Sequence, residues 1–396
     1  MCRKIIFLYM LMFLSFSVEA QKVQTTKVVA DKATKLPLDK VNIYNEKDNS
    51  ISNEEGAFSF VSDIHELNFS LIGYENRKMS FEEVQKQDTI FLQSKITELD
   101  EVVIGTEVLL IKKAYAKMID NYALSPYNEN FFLRCTLKKN NEMSRLQDIY
   151  GKVSRNAIFK TVKVPDNKCA VEILNMRKVG IKEKMDFIDF QFQSFENLFD
   201  VNALIAINLD EFEFTREKGM IGNYVKISFI QKETNSLGQK TSGYFIINKA
   251  DYAIVETYFD FYDDGANVPF KKNGKVNYRT VRFQRTTNYK KSDVTKRYYL
   301  NNANSIVRVE AVDNKEIEKR FYDYTANFFV TNSFIASKAD SNLSMDKDIF
   351  RVKFPYSESF WASQNQLPLT TDLKDFLNRV SENKDKKEEF EVIGNF

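Results

Sequence analysis

Tyr252-Ala253-Ile254-Val255-Glu256-Thr257-Tyr258-Phe259-Asp260-Phe261-Tyr262 is the stretch that decides the fold. Ala253, Val255, Phe259 and Phe261 stand an even number of residues apart, so an extended chain puts them on one face. Val225, Ile227 and Phe229 repeat the pattern just upstream. Residues 244–248 and 254–261 flank Lys249-Ala250-Asp251, which reads as a hairpin turn.

Working outward, period two dominates from Phe131 to Phe334. Further strands are predicted at 131–138, 145–153, 170–174, 211–215, 276–289, 295–300, 305–311 and 318–324, with a helical interruption over 195–207. About ten strands in meander order predict a large antiparallel sheet, curved or partly closed into a half-barrel. The arrangement is similar to the half-barrel of lipoprotein-carrier proteins, in which a sheet wraps around helices. The fold class is therefore mainly β with few helices.

On the N-terminal side the period changes. Val108, Ile111, Tyr115, Met118 and Tyr122 recur every three to four residues, as on one helical face. Ser125-Pro126 stops that helix, giving a linker over 106–125 before a β domain over 126–335. On the C-terminal side, 336–396 is a tail with an aromatic cluster at Phe354-Pro355-Tyr356 and Phe360-Trp361. Leu373, Phe376, Leu377 and Val380 predict a helix after Thr371, and the tail is expected to pack back on the sheet.

Residues 21–105 read as short strands between turns, at Val28-Val29, 41–44, 57–60, 67–70 and 89–92. Pro37, Gly56 and Gly73 punctuate them. The run Asp31-Lys32-Ala33-Thr34, Pro37-Leu38, Val41-Asn42-Ile43, Asn53-Glu54-Glu55-Gly56-Ala57-Phe58 and Ile72-Gly73-Tyr74 resembles the carboxypeptidase-regulatory-like (carboxypeptidase D regulatory, transthyretin-like) β-sandwich. Leu99-Asp100-Glu101-Val102-Val103-Ile104 matches the strand that often closes it. Thr26-Lys27 stand where that family carries a glycine. The resemblance implies an exported Bacteroidetes envelope protein with an accessory module that accompanies peptidases or receptors and performs no hydrolysis itself.

The first twenty residues read as an export signal. Arg3 and Lys4 precede an apolar run over 5–18, and Val18-Glu19-Ala20 offers small residues for cleavage. The alternative is a short anchor that stays uncut. Cys2 lies ahead of the run, on the wrong side for a lipid attachment there. The expected location is the periplasm or the outer membrane. Beyond the leader, Cys135 and Cys169 can form one disulfide or remain buried free thiols.

Composition narrows the chemistry. The chain has 396 residues with 57 basic and 55 acidic side chains, a net charge of +2 that argues against a nucleic-acid partner. There are 34 Phe and 19 Tyr but one His, so zinc sites built on paired histidines are excluded. His65, in Asp63-Ile64-His65-Glu66, reads as an exposed loop residue. No phosphate loop or nucleophile elbow occurs. Asp260, Asp263 and Asp264 beside Gly265 lack the spacing of a calcium loop and read as turn formers. No catalytic residue, metal or cofactor is expected.

The strongest charge feature runs from Lys271 to Arg297. Lys271, Lys272, Arg279, Arg282, Arg285, Lys290 and Lys291 are candidate contacts for an anionic envelope glycan or lipid. The competing reading is an edge strand guarded by charge against aggregation. The expected function is non-enzymatic binding or scaffolding in the cell envelope, beside an outer-membrane transport complex. The alternative is a lipid or lipoprotein carrier using the concave side of the sheet. The expected partner is an envelope protein, a glycan or a lipid.

Overall fold

The computed structural model describes residues 23–95, 107–160, 169–182, 193–199, 207–217, 222–236, 238–263, 268–274, 276–313, 319–382 and 389–396. The expected export signal over 1–20, the expected closing strand over 99–104, and Asp264 and Gly265 lie outside the described residues.

The N-terminal module is built from β1 (Val23–Asp31), β2 (Asn42–Tyr44), β3 (Asn49–Ile51), β4 (Ala57–Ser62), β5 (Glu66–Ser70), β6 (Arg77–Ser80), α1 (Phe81–Gln85) and β7 (Thr89–Leu92). A three-stranded sheet, β4-β1-β7, faces a four-stranded one, β3-β2-β5-β6. Val29, Ile43, Phe58, Phe60, Leu67, Phe69 and Ile90 fill the space between them. Phe58 and Phe60 both point inward because they are two residues apart. Gly56 has a φ of +72°, and a Cβ there would run into the Val29 carbonyl oxygen. Only glycine fits that turn. The sequence reading omits β3, β6 and α1. The last is a single turn held by a capping box between Ser80 and Glu83.

The rest is one twelve-stranded antiparallel sheet, open and curved. In chain order it contains β8 (Tyr127–Lys139), β9 (Glu142–Arg155), β10 (Cys169–Ile181), β11 (Phe212–Arg216), β12 (Tyr224–Gln231), β13 (Gln239–Asn248), β14 (Ile254–Asp263), β15 (Lys271–Asn273), β16 (Val276–Lys291), β17 (Tyr298–Asp313), β18 (Lys319–Ser333) and β19 (Phe390–Ile393). The spatial order is β11-β12-β13-β14-β16-β17-β18-β8-β9-β10-β19, with β15 pairing β16. Most neighbours are consecutive hairpins. The exceptions are β14 on β16, which passes over the short β15, the long-range β18–β8 pairing, which brings the start and end of the β domain together, and β19 on β10.

Two expected strands, 295–300 and 305–311, are one strand, β17. Asn301, Asn302 and Asn304 have low strand propensity, and their run predicts a break. In the sheet the asparagines are satisfied across strands: Asn304 Nδ2 donates to Asn327 Oδ1, and Asn288 Nδ2 to Asn302 Oδ1.

The inner face of this sheet is covered, and so is the outer face around β8 to β10. On the inner face Phe131, Leu133, Ile149, Val171, Ile227, Phe229, Phe245, Phe259 and Phe328 belong to one buried apolar cluster. It is closed by α2 (Glu107–Asn121) through Ile111 and Ala114, by α3 (Phe195–Phe199), and by Ile349 and Phe350. The outer face of β8 to β10 carries the opposite parity. Phe132, Tyr150 and Phe329 pack there against Ile51 of the module and against Trp361 and Leu367 of the tail. Farther along, Leu146 and Val179 pack against α5 (Thr371–Glu382), which follows α4 (Glu358–Trp361). Burying each such aromatic is worth roughly 1.5–3 kcal/mol. The tail packs on the sheet as expected. The module sits on the outer face and α2 lies against the inner one. Among the described residues no helix is long and apolar enough to cross a membrane.

Candidate functional site

The sequence-predicted basic residues do not form one surface. Arg279 Nε donates to Glu310 Oε2 at 2.7 Å on the neighbouring strand, and its Nη1 lies 3.5 Å from Asp263. Arg282 makes a two-pronged pair with Asp260, at 2.9 and 2.5 Å. Lys291 Nζ lies 2.7 Å from Asp251. Lys290 places its ammonium 3.2 Å from the centre of the Tyr44 ring, across the contact between sheet and module. Burial pushes that ammonium down to about 7, with Asp293 opposing. Lys271 and Lys272 are exposed on β15.

Arg285 corrects the expectation most clearly. It is 2% exposed and so is no part of a basic surface patch. Its Nη1 and Nη2 donate to the carbonyls of Asn197 and Leu198, at 3.0 and 2.5 Å. It holds the end of α3 on the inner face, because inward parity on β16 puts a long side chain under that helix. Asp260 and Asp263 are likewise engaged by arginines.

Of the two readings of the cysteines, the structure has the thiols: Cys135 is buried, Cys169 is half-buried, and no disulfide joins them. Cys135 pairs with Gln147 on β9, and Cys169 pairs with Arg155 farther along the same strand. At about 3.3 Å per residue, those registers hold the two sulfurs far beyond bridging distance. Burial pushes the Cys135 thiol up to about 12, with the Tyr324 hydroxyl 3.3 Å away acting in the other direction.

One constellation escaped the sequence reading. Glu129 on β8 and Arg155 on β9 occupy inward positions, Glu129 in phase with Phe131 and Arg155 in phase with Val153. Glu129 is 0% and Arg155 2% exposed, and Arg155 Nε lies 3.6 Å from Glu129 Oε2, longer than a hydrogen bond. Tyr127 is the cross-strand partner of Arg155. Tyr289, from β16, is buried in the same apolar cluster as Phe131 and Val153. The Tyr127 and Tyr289 hydroxyls, both Glu129 oxygens, and Arg155 Nε and Nη2 are buried without a hydrogen-bond partner. Arg155 Nη1 is 3.5 Å from Cys169 Sγ, and its guanidinium lies 4.6 Å from the Phe199 ring centre.

Buried polar groups are normally satisfied, so several orphans around one charge pair mark a place where a further polar group belongs. Burial raises Glu129 to about 7, and the nearby Arg155 opposes that rise. Burial also holds both tyrosines well above the ordinary phenol range. The wall is aromatic: Phe199 packs on Phe131 and Phe328 at ring distances of 5.7 and 5.2 Å. A sequence signal existed, namely opposite charges at apolar parity on consecutive strands. The register that pairs Tyr127 with Arg155 was needed to read it.

A cavity of about 290 Å³ lies on the outer face, where the module loop around Asp39 and Glu54 meets Arg134, Lys138 and the tail residue Asp372. Its walls carry both signs of charge and select for neither. Among the described residues no group of three His, Cys, Asp or Glu side chains is placed to hold a metal ion.

No family model and no curated protein matches the chain. Solved structures do. A putative outer membrane lipoprotein-sorting protein domain from Vibrio parahaemolyticus is 10% identical, with 60% of this chain and 95% of that one covered and a TM-score of 0.24. A LolA superfamily protein from Nitrosomonas europaea is 8% identical, with 61% and 98% covered and a TM-score of 0.24. The MucA/MucB complex of Pseudomonas aeruginosa is similar at 10% identity, with 57% and 94% covered and a TM-score of 0.16.

Proposed function

We propose that this chain is a non-enzymatic binding protein of the cell envelope that takes an amphiphile, a lipid or lipid-modified protein, on the inner side of its large sheet. The observation that supports this most is the disparity between that face and its cover. Strands from β8 to β18 contribute a continuous apolar wall. Among the described residues, its cover is one face of α2, the five-residue α3 and short irregular segments that include Ile158, Phe159, Ile349 and Phe350. Short segments that lie on a long apolar face can give way to an acyl chain at modest cost. The export signal and the module resembling the carboxypeptidase-regulatory-like sandwich fit a periplasmic or outer-membrane location.

The test is lipid extraction and mass spectrometry on protein purified from a bacterial periplasm. Lipid recovered in near-stoichiometric amount is the expected result, and protein free of lipid overturns the reading. Scaffolding beside a transport complex is the second reading. It is favoured by β11, which forms the end of the strand order and offers its backbone for strand addition. Cross-linking in intact envelopes that captures a partner through β11 decides for it.

A further inference from the structure

The polar end of the inner face has a chemistry of its own. Tyr127, Glu129, Arg155 and Tyr289 come from β8, β9 and β16, and all four are at least nine-tenths buried. Six of their polar atoms have no hydrogen-bond partner. Four of those six belong to donors: two guanidinium nitrogens and two phenol hydroxyls. Glu129, held near neutrality by burial, offers a proton rather than a second acceptor charge through part of the physiological range. A donor-rich cluster around a single guanidinium selects a single negative charge with two oxygens. Among the described residues it lacks the second cation that a phosphate dianion would need: the other buried guanidinium nearby, Arg285, is turned to the carbonyls of Asn197 and Leu198.

We infer that Arg155, Tyr127 and Tyr289, with Glu129, form a binding site for the carboxylate of a long-chain fatty acid or similar monoanionic amphiphile. The first carbons of its chain lie against Phe199 and Phe159. Phe199 already stacks on Arg155, and Phe159 is buried in the same cluster. Entry is from the strand ends. There the Tyr299 ring packs 4.9 Å from Tyr127 and 4.8 Å from Phe334, and Phe334 is 46% exposed. This inference rests on the amphiphile-binding reading above and names the head group that the same face prefers.

Delipidated full-length protein titrated with palmitate, and separately with methyl palmitate, tests it. Palmitate is expected to bind at one site, at least tenfold more tightly than the uncharged ester. Tyr127→Phe and Tyr289→Phe each remove a hydroxyl that has no partner in the empty site. Both are expected to fold with unchanged or raised melting temperature and to weaken palmitate about fivefold or more. Arg155→Gln is expected to abolish the preference for the acid over the ester. Equal binding of acid and ester overturns the carboxylate site while leaving the amphiphile reading standing. Palmitate binding unaffected by both Phe variants overturns it as well. If neither ligand binds and both Phe variants are merely more stable, the cluster takes no ligand, and the inference falls.

Discussion

Arg134 and Asp148 face each other on the outer side of adjacent strands and join through two parallel hydrogen bonds, Nε to Oδ1 and Nη2 to Oδ2, both 2.8 Å. Arg177, one strand farther, adds two bonds to Asp148 Oδ2, at 2.9 and 2.7 Å. The same arginines hold the tail. Arg134 Nη1 donates to the Pro368 carbonyl, Arg177 Nη2 to Gln366 Oε1, and the Arg177 guanidinium lies 4.5 Å from the Trp361 ring and 4.6 Å from that of Phe396. One buried carboxylate therefore organises three strands and the C-terminal segment.

Asp148→Asn leaves two buried guanidinium groups without their counter-charge. The expected loss is about 3–5 kcal/mol, read from urea unfolding. Burial alone would raise the Asp148 carboxyl, but Arg134 and Arg177 outweigh it and hold the pKa below the usual value. The folded state thus prefers the ionised form. Its contribution is present above the ordinary pKa of 3.8 and is lost as pH falls through the lowered one. Wild type should lose this stability on acidification, and the Asn variant should lack that step.

Glu129 behaves in the opposite sense. Its folded pKa near 7 exceeds the ordinary 4.5, so folding favours the protonated form. The stabilisation is complete below about pH 4.5 and declines as pH rises through 7. Urea midpoints at pH 5 and pH 8 should differ more in wild type than in Glu129→Gln. An equal difference in both proteins refutes the assignment.

Cys135 and Cys169 should both be recovered as thiols. Iodoacetamide on native protein should leave Cys135 unmodified, since it is buried and its thiolate is disfavoured. In urea both should react without prior reduction. A melting temperature that falls on adding reductant would show a bridge that the strand registers forbid.

Gly243 lies opposite Phe229 on paired strands. A Cβ there would meet the Tyr258 carbonyl oxygen and come within 2.7 Å of the Phe229 ring. Gly243→Ala should cost about 1–3 kcal/mol in thermal or urea unfolding, because a close-packed interior cannot absorb the overlap.

Much of this was legible in the residues. Val225, Ile227 and Phe229 predict a strand with one buried face, and all three are buried. Val108, Ile111, Tyr115 and Met118 predict a helix, and Glu107–Asn121 is one. Strand β8 was harder to read on its second face, because Phe132 and Arg134 are buried as deeply as Phe131 and Leu133. Alternation reports which residues share a face; it does not report that a tail will cover the other one.

The sequence by itself determined the class of fold, the hairpin at Lys249-Ala250-Asp251, the turn at Gly56 and the poverty of histidine chemistry, since each depends on local spacing or residue type. Tertiary structure alone decided the rest. Register put Tyr127 beside Arg155, kept Cys135 from Cys169, and set Asp148 between two arginines. The fold carried Tyr289 from β16 into the same buried cluster as Phe131 and Val153. These are relations between residues far apart in the chain, fixed by which strands pair and by burial, and a local period carries no record of either.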